Sequence, residues 1–212
     1  MNRLIGDTGL YIENKDKGFL PVALGSLRHK IPWPIKKDTE NIHISAFYND
    51  NHYVIPKIII PGLKDLHDGV DIQVASKTHV IAPETSKVIH IDHCDRRGNL
   101  VDILLYSEES KIVYDILHID KDSIPERISD RAWFDRYTDT EVSCGEIIGE
   151  VGFWPLELRD AVRIPEDVEE IYGRCYHHIH LRMFYYPDRS ELRGASYLEN
   201  SFNPLLVLEE ML

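Results

Sequence analysis

From Asp71 to Asp120 the chain repeats one pattern: short runs rich in Val and Ile (DIQVA, THVIA, KVIHID, VDILLY, KIVYDILHI) separated by polar turn residues such as DRRGN and SEES. β-Branched and aromatic residues in runs of that length fit a pleated, half-buried surface. The interruptions come too often for a helical period to develop. The pattern predicts an antiparallel meander, with hairpin turns at Asp95 to Asn99 and at Ser107 to Ser110.

The flanking segments extend this expectation. Residues 1 to 60 carry turn formers at Pro21, Gly25, Pro32 and Pro34 and no helix-length amphipathic period, so short strands and loops are expected there. The run VIPKIII, from Val54 to Ile60, reads as a strand closed by Pro61 and Gly62. Two charged stretches, DKDSIPERISDRAWFDRYTDT and PLELRDAVRIPEDVEEIYGR, break the β pattern and predict loop or short helical excursions. CGEIIGEVGF lies between them and reads as a Gly-punctuated strand pair. With no repeat, low-complexity tract or Pro/Ser linker, the expected organisation is a single domain over residues 1–212. It comprises an N-terminal β/loop extension over 1–57 packed on a core over 58–212, with insertions near 120–140 and 154–174. The fold class is mainly β.

Charge narrows the partners. Asp and Glu outnumber Lys and Arg by 36 to 24, a formal net charge of −12, which removes the electrostatic footprint a nucleic-acid binder needs. The N-terminal MNRLIGDTGLYIENKDKG is interrupted by charge before any apolar run reaches the length of a signal h-region or a membrane span. A cytoplasmic, soluble chain is the expectation. The three cysteines, Cys94, Cys144 and Cys175, are odd in number and irregularly spaced. They predict buried or idle thiols rather than a disulfide framework or a Cys-based zinc motif.

Three places could carry chemistry. In LHDGVDI, His67 and Asp71 stand four residues apart around Gly69. Gly69, Val70 and Ile72 disfavour a helix, so a loop entering a strand is expected, in which the glycine lets the chain curl and an imidazole and a carboxylate converge. Such a pair is either two ligands for zinc, which accepts nitrogen and oxygen donors, or a surface His with a turn Asp. In YHHIHLRMF, strand alternation sends His178 and His180 to one side, ~6.5 Å apart at the backbone. They are either exposed polar residues or, given the apolar Leu181, Met183 and Phe184, a buried pair that needs a metal or carboxylate partner. His118, ending the apolar run IVYDILHID, is by itself either an edge or core histidine or a participant in the same site.

Taken together, these residues resemble the lysostaphin-like zinc metallopeptidases, many of which cleave peptide crosslinks in bacterial cell walls. That family carries a His-x-x-x-Asp motif, then a lone His on a middle strand, then His-x-His. His67/Asp71, His118 and His178/His180 stand in that order. THVIAPETSKVIHI resembles the family's hairpin after the first motif, CGEIIGEVG its Gly-containing turn, and FNPLLVL its C-terminal segment, so the similarity spans about residues 58 to 120 and 141 to 208. The resemblance implies an antiparallel β-sheet sandwich with a substrate groove. It implies a zinc ion (Zn2+) held by His67, Asp71 and His180, with His118 and His178 as the catalytic histidines that do not bind metal. The implied activity is metal-assisted hydrolysis of peptide bonds in a peptide or peptidoglycan-like substrate, which would place the protein at the cell envelope. Three protein ligands leave a fourth tetrahedral position for water, as a catalytic zinc requires, and the His-Glu-x-x-His motif is absent.

The sequence also departs from the family. Ile116 stands where Tyr is common two residues before the lone His, and the approach to His-x-His is the long charged segment GFWPLELRDAVRIPEDVEEIYGRC. These differences motivate an alternative, a catalytically inactive binding or regulatory module that keeps the fold, with or without the metal. A cupin-like metal enzyme also places His-x-His on a strand but wants a Glu a few residues later, where this chain has Arg182, Met183, Phe184 and Tyr185. His90, His93 and Cys94 read as an exposed hairpin rather than a second metal site. His29, His43, His52 and His79 lack partners at ligand-like spacing, and Trp33, Trp133 and Trp154 read mainly as core.

Overall fold

The computed structural model describes residues 8–36, 39, 42–49, 67–93, 98–128, 140–153, 177–193 and 201–210. Ten strands are present among them: β1 (His43–Ala46), β2 (Val70–Gln73), β3 (His79–Ile81), β4 (Ser86–His93), β5 (Leu100–Tyr106), β6 (Ile112–Asp120), β7 (Thr140–Val142), β8 (Ile147–Glu150), β9 (His178–Tyr185) and β10 (Ser201–Phe202). One eight-stranded antiparallel sheet runs β1-β2-β9-β6-β5-β4-β7, with β10 attached to β9. A two-stranded antiparallel sheet joins β3 to β8. The protein is therefore mainly antiparallel β.

The strand that organises the sheet is β9, which is hydrogen-bonded to β2 on one side and β6 on the other. On one face Ile179, Leu181 and Met183 are fully buried in the main core, against Val70, Ile72, Ile103 and Ile116. On the other face stand His178, His180, Arg182 and Phe184. Because side chains alternate, slipping β9 by one residue would turn its three core residues outward and drive the histidines into an apolar layer. Each lost side chain forfeits roughly 1.5–3 kcal/mol of burial. The register is thereby fixed at Asp71 opposite His180, Gln73 opposite His178, and Leu117 opposite His180 on the far side.

Along β6 the alternation breaks at His118. Ile112, Tyr114 and Ile116 of β6 face the main core, so simple alternation would send His118 there too. Instead the β5–β6 register shifts between Val101 and Ile103, and His118 takes the left-handed backbone conformation, φ 72°. This bulge returns Ile119 to the core and turns the His118 ring to the opposite face. The bulged carbonyl of His118 accepts a hydrogen bond from Gly152 N–H at 2.9 Å. A Cβ at Gly152 would displace Leu100 Cδ2 and come within 3.1 Å of that same carbonyl and 3.2 Å of Asp120 N, so glycine suits this close approach.

The structure revises several expectations. The meander holds only for β4, β5 and β6, where the Ser107–Ser110 turn links β5 to β6. The Asp95–Asn99 turn is described only at Gly98 and Asn99. β2 has both edges occupied by β1 and β9, so β3 leaves the large sheet and pairs with β8. CGEIIGEVGF accordingly supplies one strand, β8, rather than a strand pair; its Cys144–Gly145 end is a turn following β7. The first 60 residues hold a helix, α1 (Thr8–Asn14), and a 3-10 segment at Val22–Leu27, besides the strand β1. α1 is only two turns long, too short to show an amphipathic period. Tyr11, Leu24, Trp33 and Ile35 from this segment enter the same buried cluster as β9. The strand expected over Val54–Ile60 and the whole insertion over 154–174 lie outside the described residues. Of the 120–140 stretch, only residues 120–128 and 140 are described. No helix among the described residues is long and apolar enough to cross a membrane.

Candidate metal centre

His67 lies just before β2, Asp71 on β2 and His180 on β9, and the pairing of Asp71 with His180 puts these two directly opposite one another. All three are buried, with relative exposures of 7%, 1% and 8%. Their facing atoms form a small triangle: His67 Nε2 to His180 Nδ1 3.0 Å, His67 Nε2 to Asp71 Oδ1 3.2 Å, and His180 Nδ1 to Asp71 Oδ1 2.7 Å. Ligand bonds of ~2.0–2.1 Å in a tetrahedral site put ligand atoms ~3.3 Å apart, close to what is seen.

The outer contacts define what these atoms are. His67 Nδ1 lies 3.0 Å from the carbonyl oxygen of Phe47, and a carbonyl only accepts, so Nδ1 carries the proton and Nε2 presents a lone pair to the triangle. His180 Nε2 lies 3.1 Å from Asp68 Oδ1, a carboxylate acceptor, so Nε2 donates and Nδ1 faces the triangle. Two lone pairs and a carboxylate oxygen then confront each other within hydrogen-bond distance in a buried place. They repel unless something positive sits among them. A divalent cation satisfies all three, and nitrogen plus oxygen donors suit zinc.

Without a metal, a proton supplies that charge. Burial disfavours the charged imidazole of His180, but hydrogen bonds to Asp68 and Asp71 outweigh it and push its pKa up to about 9. Burial likewise works against ionised Asp71, yet His67, His178 and His180 hold its carboxyl well below the usual range. The contribution of His180 to the metal-free fold is full below the ordinary histidine pKa of 6.5 and is lost as pH rises through about 9. Metal must displace the proton, so zinc affinity is expected to rise about tenfold per pH unit below pH 9 and then level off, with about one proton released per ion. Calorimetry in buffers of different ionisation enthalpy reads this directly; affinity flat between pH 6 and 8 would contradict it.

His118 and His178 stand beside the triangle. Their ring centroids are 4.8 Å apart, and His118 is 6.5 Å from His180. His178 Nε2 is 4.0 Å from Asp71 Oδ2, too far to share a bond but facing the same carboxylate. All five residues singled out in the sequence thus meet on one face of the sheet. Of the histidines set aside, His29 Nδ1 is 3.2 Å from Leu208 O and His79 lies 3.7 Å from Glu150, both away from the centre. Cys144 is exposed rather than buried, and its thiol donates to the Pro83 carbonyl at 3.3 Å.

Gly69 has a different role from the one its position suggested. Its backbone crosses directly over His180: a Cβ there would collide with Leu181 O and come within 2.7 Å of His180 Nε2. The requirement is space rather than a special curl of the chain. Gly69→Ala is expected to destabilise the metal-free protein by about 1–3 kcal/mol and to weaken zinc binding by displacing His180. Thermal melts together with chelator competition measure both, and wild-type zinc affinity would contradict the argument.

Sequence reasoning missed Asp68, Arg182 and Asp115. Arg182 Nη1 donates to Asp68 Oδ2 at 3.1 Å, and its Nη2 donates to Asp115 Oδ2. Burial pushes the Asp115 carboxyl up to about 6 against the pull of Arg182, while Asp68, held by His180 and Arg182 despite its burial, stays well below the ordinary carboxylate range. The signal was available: the alternation that groups His178 with His180 continues to Arg182, and Asp68 adjoins His67.

No protein-family model and no curated protein matches the chain. Solved structures do. Csd3 of Helicobacter pylori matches at TM-score 0.46 and 14% identity over 85% of this chain and 35% of its own. Lysostaphin from Staphylococcus simulans matches at TM-score 0.47 and 14% identity over 84% of this chain and 52% of its own. A zinc-containing peptidase from Vibrio cholerae matches at TM-score 0.44 and 16% identity over 74% of this chain and 37% of its own. This chain spans only a third to a half of the length of these proteins.

Proposed function

We propose that the chain is a zinc-dependent metalloendopeptidase that hydrolyses peptide bonds, with peptidoglycan-like crosslink peptides as its substrate class. The observation that carries the reading is the meeting of three acceptor atoms from His67, Asp71 and His180 at ligand-like separations, flanked by two further imidazoles. The substrate class rests on the order of the motifs in the sequence: His-x-x-x-Asp, a lone His, then His-x-His.

Zinc held by three protein ligands activates water near neutral pH and polarises a carbonyl. The chain's own groups supply the rest. Asp68 and the Phe47 carbonyl hold protons on the outer nitrogens of His180 and His67, which keeps the inner nitrogens free to ligate. His178 is the least buried of the flanking pair, and its Nε2 is within reach of the site, where it takes a proton from the attacking water. His118, turned to the same side by its bulge, stabilises the developing oxyanion or returns a proton to the leaving amine. A purely binding module has no use for two such imidazoles beside a metal, and their presence favours the enzyme.

The test is hydrolysis of a panel of crosslink peptides by the zinc-loaded protein, lost on chelation and restored by zinc. Zinc-loaded protein that cleaves none of the panel would overturn the peptidase reading and leave the binding module.

A further inference from the structure

Resting on the metal reading above, we propose that Arg182 is a positioning residue for the metal centre. It clamps the Asp68 carboxylate against His180 and thereby fixes which nitrogen of that ring faces His67 and Asp71.

The contacts form an unbroken chain from strand to site. Asp115 on β6 lies opposite Arg182 on β9 in the sheet register and is only 3% exposed. One arm of the Arg182 fork donates to Asp115 Oδ2; the other donates to Asp68 Oδ2 at 3.1 Å. The second oxygen of Asp68 accepts from His180 Nε2 at 3.1 Å, and the opposite nitrogen, Nδ1, lies 2.7 Å from Asp71 Oδ1. A planar guanidinium suits this task because its two arms hold a fixed angle, so anchoring one on a buried carboxylate aims the other. Asp68 belongs to the segment that Gly69 lets pass over His180, and it is far less buried than Asp71, with 27% of its side chain exposed against 2%. A carboxylate that open to water needs a second tether to stay against the imidazole, and Arg182 is that tether.

The bland reading is that Arg182 merely neutralises Asp115. The two differ in what Asp68 does. In Asp68→Asn the Arg182–Asp115 pair is untouched, but an amide has a single acceptor atom and cannot serve both His180 Nε2–H and Arg182 Nη1. In Arg182→Lys the positive charge stays while the two-armed geometry is lost.

The experiment measures zinc affinity by chelator competition in the wild-type protein, both single variants and the double variant. Thermal melts of each metal-free protein establish folding, and cobalt absorption spectra report ligand geometry. Asp68→Asn is expected to weaken zinc binding about 10–100-fold, Arg182→Lys by a lesser factor in the same direction, and the double variant no more than Asp68→Asn alone. The cobalt spectrum is expected to change in both single variants. Arg182→Lys that folds and binds zinc as tightly as wild type, or effects that multiply in the double variant, would overturn the inference while leaving the metal site standing. A wild-type protein that does not bind zinc would overturn the metal reading and this inference together.

Discussion

Alanine at His178 is expected to leave zinc content at the wild-type level and to lower peptide hydrolysis by about 10²–10⁴-fold, the usual contribution of a positioned acid or base. His178 sits opposite Gln73 on the metal-facing side of β9, and its Nε2 lies 4.0 Å from Asp71 Oδ2, outside the triangle of ligand atoms. Its removal therefore takes away a proton acceptor without taking away a ligand, and the loss should appear in kcat with metal affinity intact. Loss of zinc in His178→Ala would move that residue into the ligand set. Unchanged turnover would remove it from the chemistry. The companion experiment at His118 needs more care, because that residue's φ of 72° strains alanine. Asparagine tolerates the left-handed region and is the cleaner replacement there.

Asp71→Ala is expected to have the opposite signature, abolishing zinc binding and activity together. The carboxylate is 1% exposed and faces His67 and His180. Its loss should reduce zinc affinity by more than the ~10–100-fold that removal of an outer partner costs, since here a ligand itself is gone. The metal-free protein should also lose about 3–5 kcal/mol at pH 7, because protonated His180 then remains buried with one counter-charge removed. Asp71 has a folded pKa depressed below its unfolded 3.8, so its contribution is present above that value and disappears as pH falls through the lower folded one. Denaturant melts should show the gap between wild type and variant constant from pH 7 down to about 3.8 and narrowing only below it. Equal stability at pH 7 would mean the buried triangle contributes nothing to the fold.

The motif order, rather than any one local pattern, singled out His67, Asp71, His118, His178 and His180, and the fold was legible only in part. Val/Ile runs identify β4, β5 and β6, and alternation along β9 correctly groups His178 with His180. Alternation gives faces but not neighbours. Nothing in THVIA says that β3 pairs with β8, some seventy residues away, instead of with the strands beside it. The bulge at His118 was invisible for the same reason. Periodicity assigns that side chain to the core, and only the Gly152 N–H bonded to its carbonyl reveals why the chain kinks there. Asp68 and Arg182 were overlooked because each looks like an ordinary surface charge until β9 is set beside β2 and β6.

The proposed chemistry requires His67, Asp71 and His180 to hold a divalent cation. Crystals of the protein purified with zinc, measured on both sides of the zinc absorption edge, test it most directly. A single strong anomalous peak is expected about 2.0–2.2 Å from His67 Nε2, His180 Nδ1 and an Asp71 oxygen. A fully ordered site without such a peak, its three side chains joined only by hydrogen bonds, would contradict it.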